Sequence, residues 1–409
     1  MRPQQAIKLI AVDHLRPGMY VQDVNCSWMD HPFVANHFLV KDAKRVAEIK
    51  ALGVHELYID TAKGLDVVGE TGKSPEIVSQ DVDTRMAQIA RELQSEPKRV
   101  DLTREVERAK QLHGEANRIV RSVIQDVRLG KQIEMEHVEP IVEQMIDSIF
   151  RNSDALLPLV RLKDHDSYTF QHSVSVCALL VSFARGLKLE RPIIKEIAIG
   201  GLLHDVGKAK VPDEILNKPA KLTDAEFGKM KSHVVQSILI LQNTPGISQI
   251  ALDVAGQHHE RFDGTGYPNK LKGDEISLYG RMGAIADVYD AITSDRVYHK
   301  GMAPTAALGR LMEWSKYHFD PALVRSYVKC VGIYPSGSLV RLESGRLGVV
   351  LEQHEENMLH PKVRIIFHAE HKRYLPPEVV DLARPGCQEH ISGHEDFADW
   401  NIDPARWGA

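Results

Sequence analysis

The spacing of apolar positions divides the chain into a helical centre and two flanking segments that contain short strands. Near the start, the runs IKLIAV and MYVQDV have the length of strands, with a turn at Pro17 and Gly18 between them. The apolar positions of AKRVAEIKALGV have helical spacing, and Gly53 ends this helix before the strand HELYID. Residues 1–68 are therefore predicted to form a small α/β domain.

The next segment, residues 69–149, is predicted to be a linker followed by a helical connector. Residues 69–83 contain GETGKSPE, which is typical of a linker, and the charged helical pattern that follows is interrupted near Pro97. The connector carries a heptad seam, whose positions are Leu102, Val106, Ala109, His113, Ala116, Val120, Val123 and Val127. The seam has two interpretations: it packs on the chain's own helices, or the helix at 102–127 joins two chains as a homodimer.

Residues 150–335 show one helical pattern after another and are predicted to form an all-α domain. Beyond Gly332, the segments SLVRL, GVVLEQ and VRIIFH have the character of short strands, and ESG forms a turn between the first two. Residues 336–409 are therefore predicted to be a β-rich C-terminal appendage and tail. The predicted fold class is mainly α, with a small α/β domain before the helical domain.

Charge and cysteine content narrow the range of partners and compartments. The 51 basic and 56 acidic residues give a formal charge of −5, whereas polynucleotide binding needs a basic face or stripe. No nucleic-acid polymer is therefore expected as a partner, although a small charged nucleotide still fits a local basic pocket. The four scattered cysteines form no CxxC pair, which is typical of free thiols in a reducing compartment.

The chain is expected to be cytoplasmic and independent of the membrane. Its first residues, MRPQQAIKLIAVDHLRPGMY, lack an apolar core long enough for a signal peptide. No run approaches the roughly 18 apolar residues that a membrane span needs.

Histidine and aspartate side chains recur within the apolar runs of the helical segment. His172 precedes an apolar helical face, and His204 and Asp205 follow the apolar run EIAIGGLL. A lone histidine in such a place is more often a hydrogen-bonded core residue than a ligand. A buried charged carboxylate, however, costs several kcal/mol unless it is paired or bound to a metal ion.

Further residues of the same two types follow within the helical segment. His233 lies on an amphipathic helix, His258 and His259 open a charged, glycine-rich loop, and Asp287 lies within another apolar helix. Asp290 falls on the same helical face as Asp287. The concentration of five histidines and two aspartates predicts a metal site. The predicted ligands are His172, His204, Asp205, His233, His258, His259 and Asp287.

The number of predicted ligands favours two metal ions. If Asp205 bridges the ions, the seven residues supply about eight bonds, whereas two six-coordinate ions need about twelve. The remaining positions leave room for water and substrate, as in a catalytic site. Imidazole and carboxylate without thiolate suit two divalent ions, iron or manganese first, with zinc, nickel and cobalt as alternatives.

Several motifs of the chain resemble the HD-GYP family, a branch of the HD superfamily of metal-dependent phosphohydrolases. These motifs are HDVGK at 204–208, HHERFDGTGYP at 258–268, DSYTFQHS before the first ligand, NKPAKLTDAEF at 217–227 and the run ADVYDAITSDRVY. The resemblance covers residues 150–335 and implies an HD-type helical catalytic domain. The N-terminal segment is similar to a domain that often precedes HD-GYP.

The resemblance implies a role for each matching position. His172, His204, Asp205 and Asp287 would hold one ion, and Asp205, His233, His258 and His259 would hold the second. Lys208 matches a lysine that contacts the substrate phosphate. Lys208 and Asp205 would be the two catalytic residues. The residues expected to line the nucleotide site with Lys208 are Tyr267, Asp290 and Arg296. Members that bind a third metal carry a glutamate where this chain has Tyr168, so two ions are expected.

The activity implied by the resemblance is hydrolysis of cyclic di-GMP to pGpG, and onward to GMP in many members, through a metal-bridging hydroxide. Two alternatives remain open at this stage. One is an HD phosphohydrolase of another cyclic dinucleotide. The other is a slow or non-catalytic cyclic di-GMP sensor, or a module whose loop at Gly266, Tyr267 and Pro268 docks a diguanylate cyclase.

Local alternatives also remain for individual residues. Lys208 is either a substrate contact or a solvated lysine, and Tyr267 either lines the nucleotide site or only packs its loop. Gly207, Gly264 and Gly266 are predicted to provide turns with positive φ.

Overall fold

Two antiparallel sheets flank a helical body in the computed structural model of the chain. The structure describes residues 6–26, 31, 33, 37–67, 72–91, 100–161, 168–218, 220, 222–294, 300–354 and 357–407. This architecture confirms the predicted mainly α class, with an α/β unit before the helical body and a β-rich segment after it. Among the described residues, no helix is long and apolar enough to cross a membrane.

The N-terminal sheet contains four strands in the order β1-β4-β2-β3, with one helix packed on it. The elements are β1 Ile7–Ala11, β2 Tyr20–Asp23, β3 Phe38–Leu39, α1 Ala43–Lys50 and β4 Glu56–Asp60. The side chain of Asp42 caps α1 by accepting a hydrogen bond from the backbone N–H of Arg45. Gly53 follows the helix with a φ of +68°, as expected of a glycine that ends a helix. The two-residue strand β3 is too short to be recognised from its sequence.

The helical body is built from eleven described helices around one continuous core that runs from Val82 to Met358. Its helices are α2 Pro75–Arg91, α3 Leu102–Arg128, α4 Met135–Arg161, α5 Tyr168–Gly186, α6 Arg191–Leu203, α7 Asp213–Leu216, α8 Asp224–Gln242, α9 Gln249–Gln257, α10 Leu278–Thr293, α11 Pro304–Trp314 and α12 Pro321–Val331. Helix α5 lies at the centre and contacts α4, α6, α10 and α12. Its sequence is apolar on nearly all sides, as a fully buried helix requires.

The connector differs from the prediction because it is part of this body. Helix α2 begins at Pro75, inside the predicted linker, and packs on α11 and α12. Helix α4 continues through the predicted boundary at residues 149 and 150, and both of its halves lie in the same core. The expected interruption near Pro97 lies outside the described residues.

The seam of α3 faces the chain's own helices. Ala109, Ala116, Val120, Val123 and Val127 are buried against α4 and α5, which supports the first of the two interpretations of the heptad pattern. These side chains are unavailable for a dimer interface in this conformation, and the homodimer stays a prediction.

The C-terminal sheet contains five antiparallel strands in the order β8-β7-β6-β5-β9. They are β5 Leu339–Leu342, β6 Arg346–Glu352, β7 Lys362–His368, β8 Arg373–Asp381 and β9 Ile391–Glu395, and the short helix α13 Pro404–Trp407 follows. The sequence predicts the first three strands but not the last two. Strand β8 contains two prolines and β9 is largely polar, and both are tolerated because these strands form the edges of the sheet.

Candidate metal centre

The structure brings all seven predicted ligand side chains into one cluster. Three overlapping groups have their ligand atoms within 4.8 Å of one another, and His204 and His258 each belong to two of these groups. The three groups are His233, His258 and His259; His172, His204 and Asp287; and His204, Asp205 and His258. The cluster is enclosed, because every one of these side chains except His259 is buried and His259 is nearly so.

Helix ends and inner helix faces position these side chains. His204 and His258 directly follow the last residues of α6 and α9, so each brings its neighbour, Asp205 or His259, into the cluster. His172, His233 and Asp287 project from the interiors of α5, α8 and α10. Five helices therefore converge on the site, and the core between them holds their relative positions.

The two carboxylate oxygens of Asp205 face opposite halves of the cluster. Oδ2 lies 3.5 Å from Nε2 of His172 and 3.3 Å from Nε2 of His204. Oδ1 lies 3.3 Å from Nε2 of His233. Asp287 lies on the first side, with Oδ1 2.9 Å from Nε2 of His172. Asp205 is thus placed between two groups of potential ligands.

Hydrogen bonds at Nδ1 set the orientation of the imidazole rings. Nδ1 of His204, His233 and His258 donates to the backbone carbonyl three residues earlier, at 2.8, 2.7 and 2.8 Å respectively. A ring that carries its proton on Nδ1 presents a lone pair on Nε2, and such hydrogen bonds also raise the basicity of a ligand. All three Nε2 atoms are therefore prepared to bind a cation.

Several buried polar atoms of the cluster lack hydrogen-bond partners, which indicates whether the cluster could hold metal ions. Nε2 of His204, His233 and His258, together with Oδ1 of Asp205 and Oδ2 of Asp287, are inaccessible to solvent and make no hydrogen bond to any residue that the structure describes. Leaving a buried polar atom unsatisfied costs about 1–3 kcal/mol, and these atoms converge on the same space. Imidazole and carboxylate donors in this arrangement fit divalent ions.

Burial and charge also determine the protonation of the histidines. Burial lowers the pKa of His233 to about 4 and, with help from His204, that of His258 to about 3, so both rings are neutral near pH 7. At His204 burial acts in the same direction, but the Asp205 and Asp287 carboxylates outweigh it and raise the pKa to about 10. Two buried carboxylates thus demand positive charge in the cluster, which divalent cations would supply.

Comparisons with known proteins agree with this geometry. Residues 157–323 match the family model described as HD domain, and residues 7–138 match the one described as Domain of unknown function (DUF3391). A cyclic di-GMP phosphodiesterase of Pseudomonas aeruginosa is 45% identical over 397 residues, which cover 97% of this chain and 94% of that protein.

The chain belongs to the HD-GYP family.

Two relatives from Vibrio cholerae match shorter parts of this HD-GYP protein. A cyclic di-GMP phosphodiesterase is 35% identical over 218 residues, covering 48% of this chain and 44% of that protein. A 3'3'-cGAMP-specific phosphodiesterase is 44% identical over 123 residues, covering 30% of this chain and 24% of that protein.

Asp290 occupies a different position from the one that the HD-GYP resemblance implies. It was expected to line the nucleotide site, but it is only 1% exposed and lies behind His172. Its Oδ2 accepts a 2.6 Å hydrogen bond from Nδ1 of His172, and its Oδ1 accepts one from the hydroxyl of Ser175. The carboxylate is therefore placed to orient the ring of His172, a predicted ligand, and its burial leaves almost no surface for a nucleotide to contact.

Lys208 lies at the edge of the cluster. Its Nζ is 2.5 Å from Oδ2 of Asp205, and its side chain is 17% exposed. Burial raises the pKa of Asp205, but Lys208 and His204 outweigh this effect and hold the pKa well below its usual range. The ammonium group of Lys208 therefore interacts electrostatically with the cluster, and Lys208 is not a fully solvated residue.

Tyr267 lies over the cluster within the segment 260–271, which we call the GYP loop. Its ring stacks on His259 with 4.7 Å between centroids, and Nζ of Lys231 lies 5.0 Å from the centroid of the Tyr267 ring. The buried carboxylate of Glu260 closes the loop by accepting hydrogen bonds from the backbone N–H groups of Asn269 and Leu271. Arg296, the last predicted nucleotide contact, lies outside the described residues.

Close packing, not backbone conformation, explains two of the three glycines. Gly264 has the predicted positive φ, +84°. Gly207 and Gly266 do not, but a Cβ at Gly207 would lie 2.0 Å from the carbonyl oxygen of His233, and one at Gly266 would lie 2.3 Å from the backbone nitrogen of Arg261. Gly207 thereby lets the turn that carries Asp205 and Lys208 approach α8.

Proposed function

We propose that this chain is a metal-dependent phosphodiesterase that hydrolyses cyclic di-GMP to pGpG, with GMP as a possible second product. The observation that carries the proposal is the enclosed cluster of five histidines and two aspartates, whose unpartnered donor atoms face one another. Cyclic di-GMP is proposed as the substrate because the relative that is 45% identical over almost the whole chain is named a cyclic di-GMP phosphodiesterase.

The proposed ligand sets divide at Asp205. His172, His204, Asp205 and Asp287 would hold one divalent ion, and Asp205, His233, His258 and His259 would hold the other. The directions of the two Asp205 oxygens support this division. Two bound ions would activate a water molecule for attack on phosphorus and neutralise phosphoryl oxygens.

The chain's own residues would bind and orient the substrate. Lys208 carries positive charge beside the cluster, where a phosphate would approach, and would stabilise the charge that develops on the phosphoryl oxygens. Tyr267, whose ring stacks on His259 and has Nζ of Lys231 over it, would contact the nucleotide beside the cluster. Asp290 would hold His172 in the orientation that directs Nε2 to the ion.

Iron or manganese is the proposed metal. The donors of the cluster are imidazole nitrogens and carboxylate oxygens, and none of the four cysteines belongs to it. Such a donor set suits iron and manganese, and it also accommodates zinc, nickel and cobalt.

Metal analysis combined with a substrate panel tests the proposal. Protein purified without oxygen should contain two ions per chain and should release pGpG from cyclic di-GMP in a chromatographic assay. Two ions without product, across several added metals, would instead favour a sensor or docking role. Because a 3'3'-cGAMP-specific relative matches part of the chain, the panel should include that nucleotide, and faster turnover of it would overturn the assignment of substrate.

A further inference from the structure

The N-terminal unit contacts the GYP loop directly through the turn at residues 51–55, which connects α1 to β4. Nε2 of His55 donates a 2.8 Å hydrogen bond to Oδ2 of Asp263. From the other side, the guanidinium of Arg261 donates to the backbone carbonyl of Leu52 at 2.9 Å. The two segments are more than 200 residues apart in the chain, so only the tertiary fold brings them together.

Gly53 is the point of closest approach between this turn and the loop. A Cβ added at Gly53 would lie 2.3 Å from the Cβ of Thr265 and 2.6 Å from its Oγ1, whereas ordinary contacts begin at 3.4 Å. The backbone of the turn therefore packs against the Thr265 side chain with no space between them. A larger residue at position 53 would push the two segments apart by about 1 Å.

A second interface fixes the N-terminal unit beside the helical body. The ring of His55 stacks on Tyr317 with 4.2 Å between centroids. Away from the turn, Arg310 pairs with Asp23 at 2.6 Å, and the hydroxyl of Tyr58 donates to the buried carboxylate of Glu313 at 2.9 Å. The turn at residues 51–55 is therefore held in place independently of its contacts with the loop.

The contact continues through the loop to the metal centre. Oδ1 of Asp263 accepts hydrogen bonds from the backbone N–H and the hydroxyl of Thr265, at 2.9 and 2.6 Å. Two residues later, the backbone N–H of Tyr267 donates to the carbonyl of His259 at 3.1 Å, and the two rings stack. Gly266 between them lacks room even for a methyl group, so the loop has little freedom to absorb a displacement.

We propose that the turn at residues 51–55 is a positioning element for substrate binding, with Gly53 and His55 as its positioning residues. It holds the GYP loop so that Tyr267 presents its ring to the nucleotide, and this inference rests on the proposed function. Four of the proposed metal ligands are oriented by hydrogen bonds that do not involve the GYP loop: His204, His233 and His258 bond carbonyls three residues earlier, and His172 bonds Asp290. A change in the N-terminal unit would therefore alter nucleotide affinity and leave metal binding intact.

Gly53→Ala tests this inference against a matched control, Gly130→Ala. Both glycines have positive φ, +68° and +79°, so the alanine causes similar backbone strain, but nothing lies within 4 Å of a Cβ at Gly130. Misplacement by about 1 Å can cost roughly 10²-fold. We expect Gly53→Ala to raise KM for cyclic di-GMP roughly 10- to 100-fold, with metal content and kcat near those of the unchanged protein. Gly130→Ala should leave KM unchanged.

His55 provides a second test should Gly53→Ala fail to fold. His55→Ala removes the donor to Asp263 and should raise KM, whereas His55→Gln retains an N–H donor at similar reach and should restore much of the affinity. A role confined to stability would lower Tm in both variants without separating their KM values. Equal KM for His55→Ala and the unchanged protein would overturn the inference.

Binding and turnover are measured on the same samples, with fluorescently labelled cyclic di-GMP for the former. An unchanged protein that holds metal and binds this probe without turnover would refute the proposed function, and Kd then replaces KM as the test of positioning. Nucleotide affinity that is the same in Gly53→Ala and Gly130→Ala would refute the positioning role alone.

Discussion

Asp290 and His172 are joined by a 2.6 Å hydrogen bond in which Nδ1 of the imidazole donates to Oδ2 of the carboxylate. The other oxygen of Asp290 is occupied by Ser175, so the carboxylate has little rotational freedom. The bond directs Nε2 of His172 toward Asp287, 2.9 Å away. Asp290 thus determines the orientation of a proposed ligand from a position that is only 1% exposed.

Asp290→Asn should weaken metal binding while the fold is retained. An amide is a poorer acceptor than a carboxylate, and loss of such an outer partner typically costs about 10- to 100-fold in metal affinity. Titration against a competing chelator measures the change. Ser294→Ala is the control, because its hydroxyl bonds the backbone carbonyl of Asp290 and not the carboxylate. Equal affinity in both variants would assign Asp290 a purely structural role.

Asp205→Ala should remove metal and abolish turnover. The substitution deletes the carboxylate that lies between the two proposed ligand sets, so both ions lose a bond. Elemental analysis and the turnover assay are the measurements. Asp213→Ala serves as the control, since its side chain is 65% exposed and pairs only with Arg128 among the contacts described. Full activity of the Asp205 variant would refute the assignment of the site.

Lys208→Ala should reduce the rate by about 10²-fold, because a cation that stabilises developing charge is lost. Metal content should stay near normal, since the lysine supplies no ligand. Lys210→Ala, in the same turn, is the matched control, because its Nζ donates to the carbonyl of Val127, away from the cluster. Unchanged kinetics of the Lys208 variant would show that its ion pair with Asp205 has no part in turnover.

Glu105→Gln should destabilise the helical body in a pH-dependent manner. Glu105 is fully buried and accepts hydrogen bonds from Arg151 at 2.8 Å and Ser148 at 2.9 Å. Burial raises the pKa of Glu105, but Arg151 and Ser148 outweigh it and hold the pKa below its ordinary value of 4.5. The charged group therefore stabilises the fold above pH 4.5, and this contribution is lost as the pH falls through the lower folded pKa.

Urea unfolding at pH 7 and in steps below pH 4.5 measures this effect. At pH 7 the variant should lose about 1.5–3 kcal/mol of unfolding free energy, the usual contribution of hydrogen bonds to a charged group. The difference from the unchanged protein should shrink as the pH falls, because protonated Glu105 resembles glutamine. A difference that stays constant down the series would show that the ion pair contributes no net stability.

The sequence predicted the fold class, and it identified seven candidate ligands whose side chains lie in one cluster in the structure. It succeeded there because charged and imidazole groups inside apolar helical runs are costly, so each one marks a place where a compensating partner is needed. Strands and helices with regular spacing were also predictable. The edge strands β8 and β9 were not, because solvent satisfies their outer side and permits prolines and polar residues.

Tertiary structure alone decided which partners those residues meet. Local spacing placed Asp290 on the same helical face as Asp287. Only the packing of α10 against α5 shows that the Asp290 carboxylate is hydrogen-bonded to His172. Sequence likewise gave no sign that Gly53 and His55 touch a loop more than 200 residues away. The helical period depends on residues that are neighbours along the chain. These contacts depend instead on how whole helices and strands pack together, and a local sequence pattern contains no information about that packing.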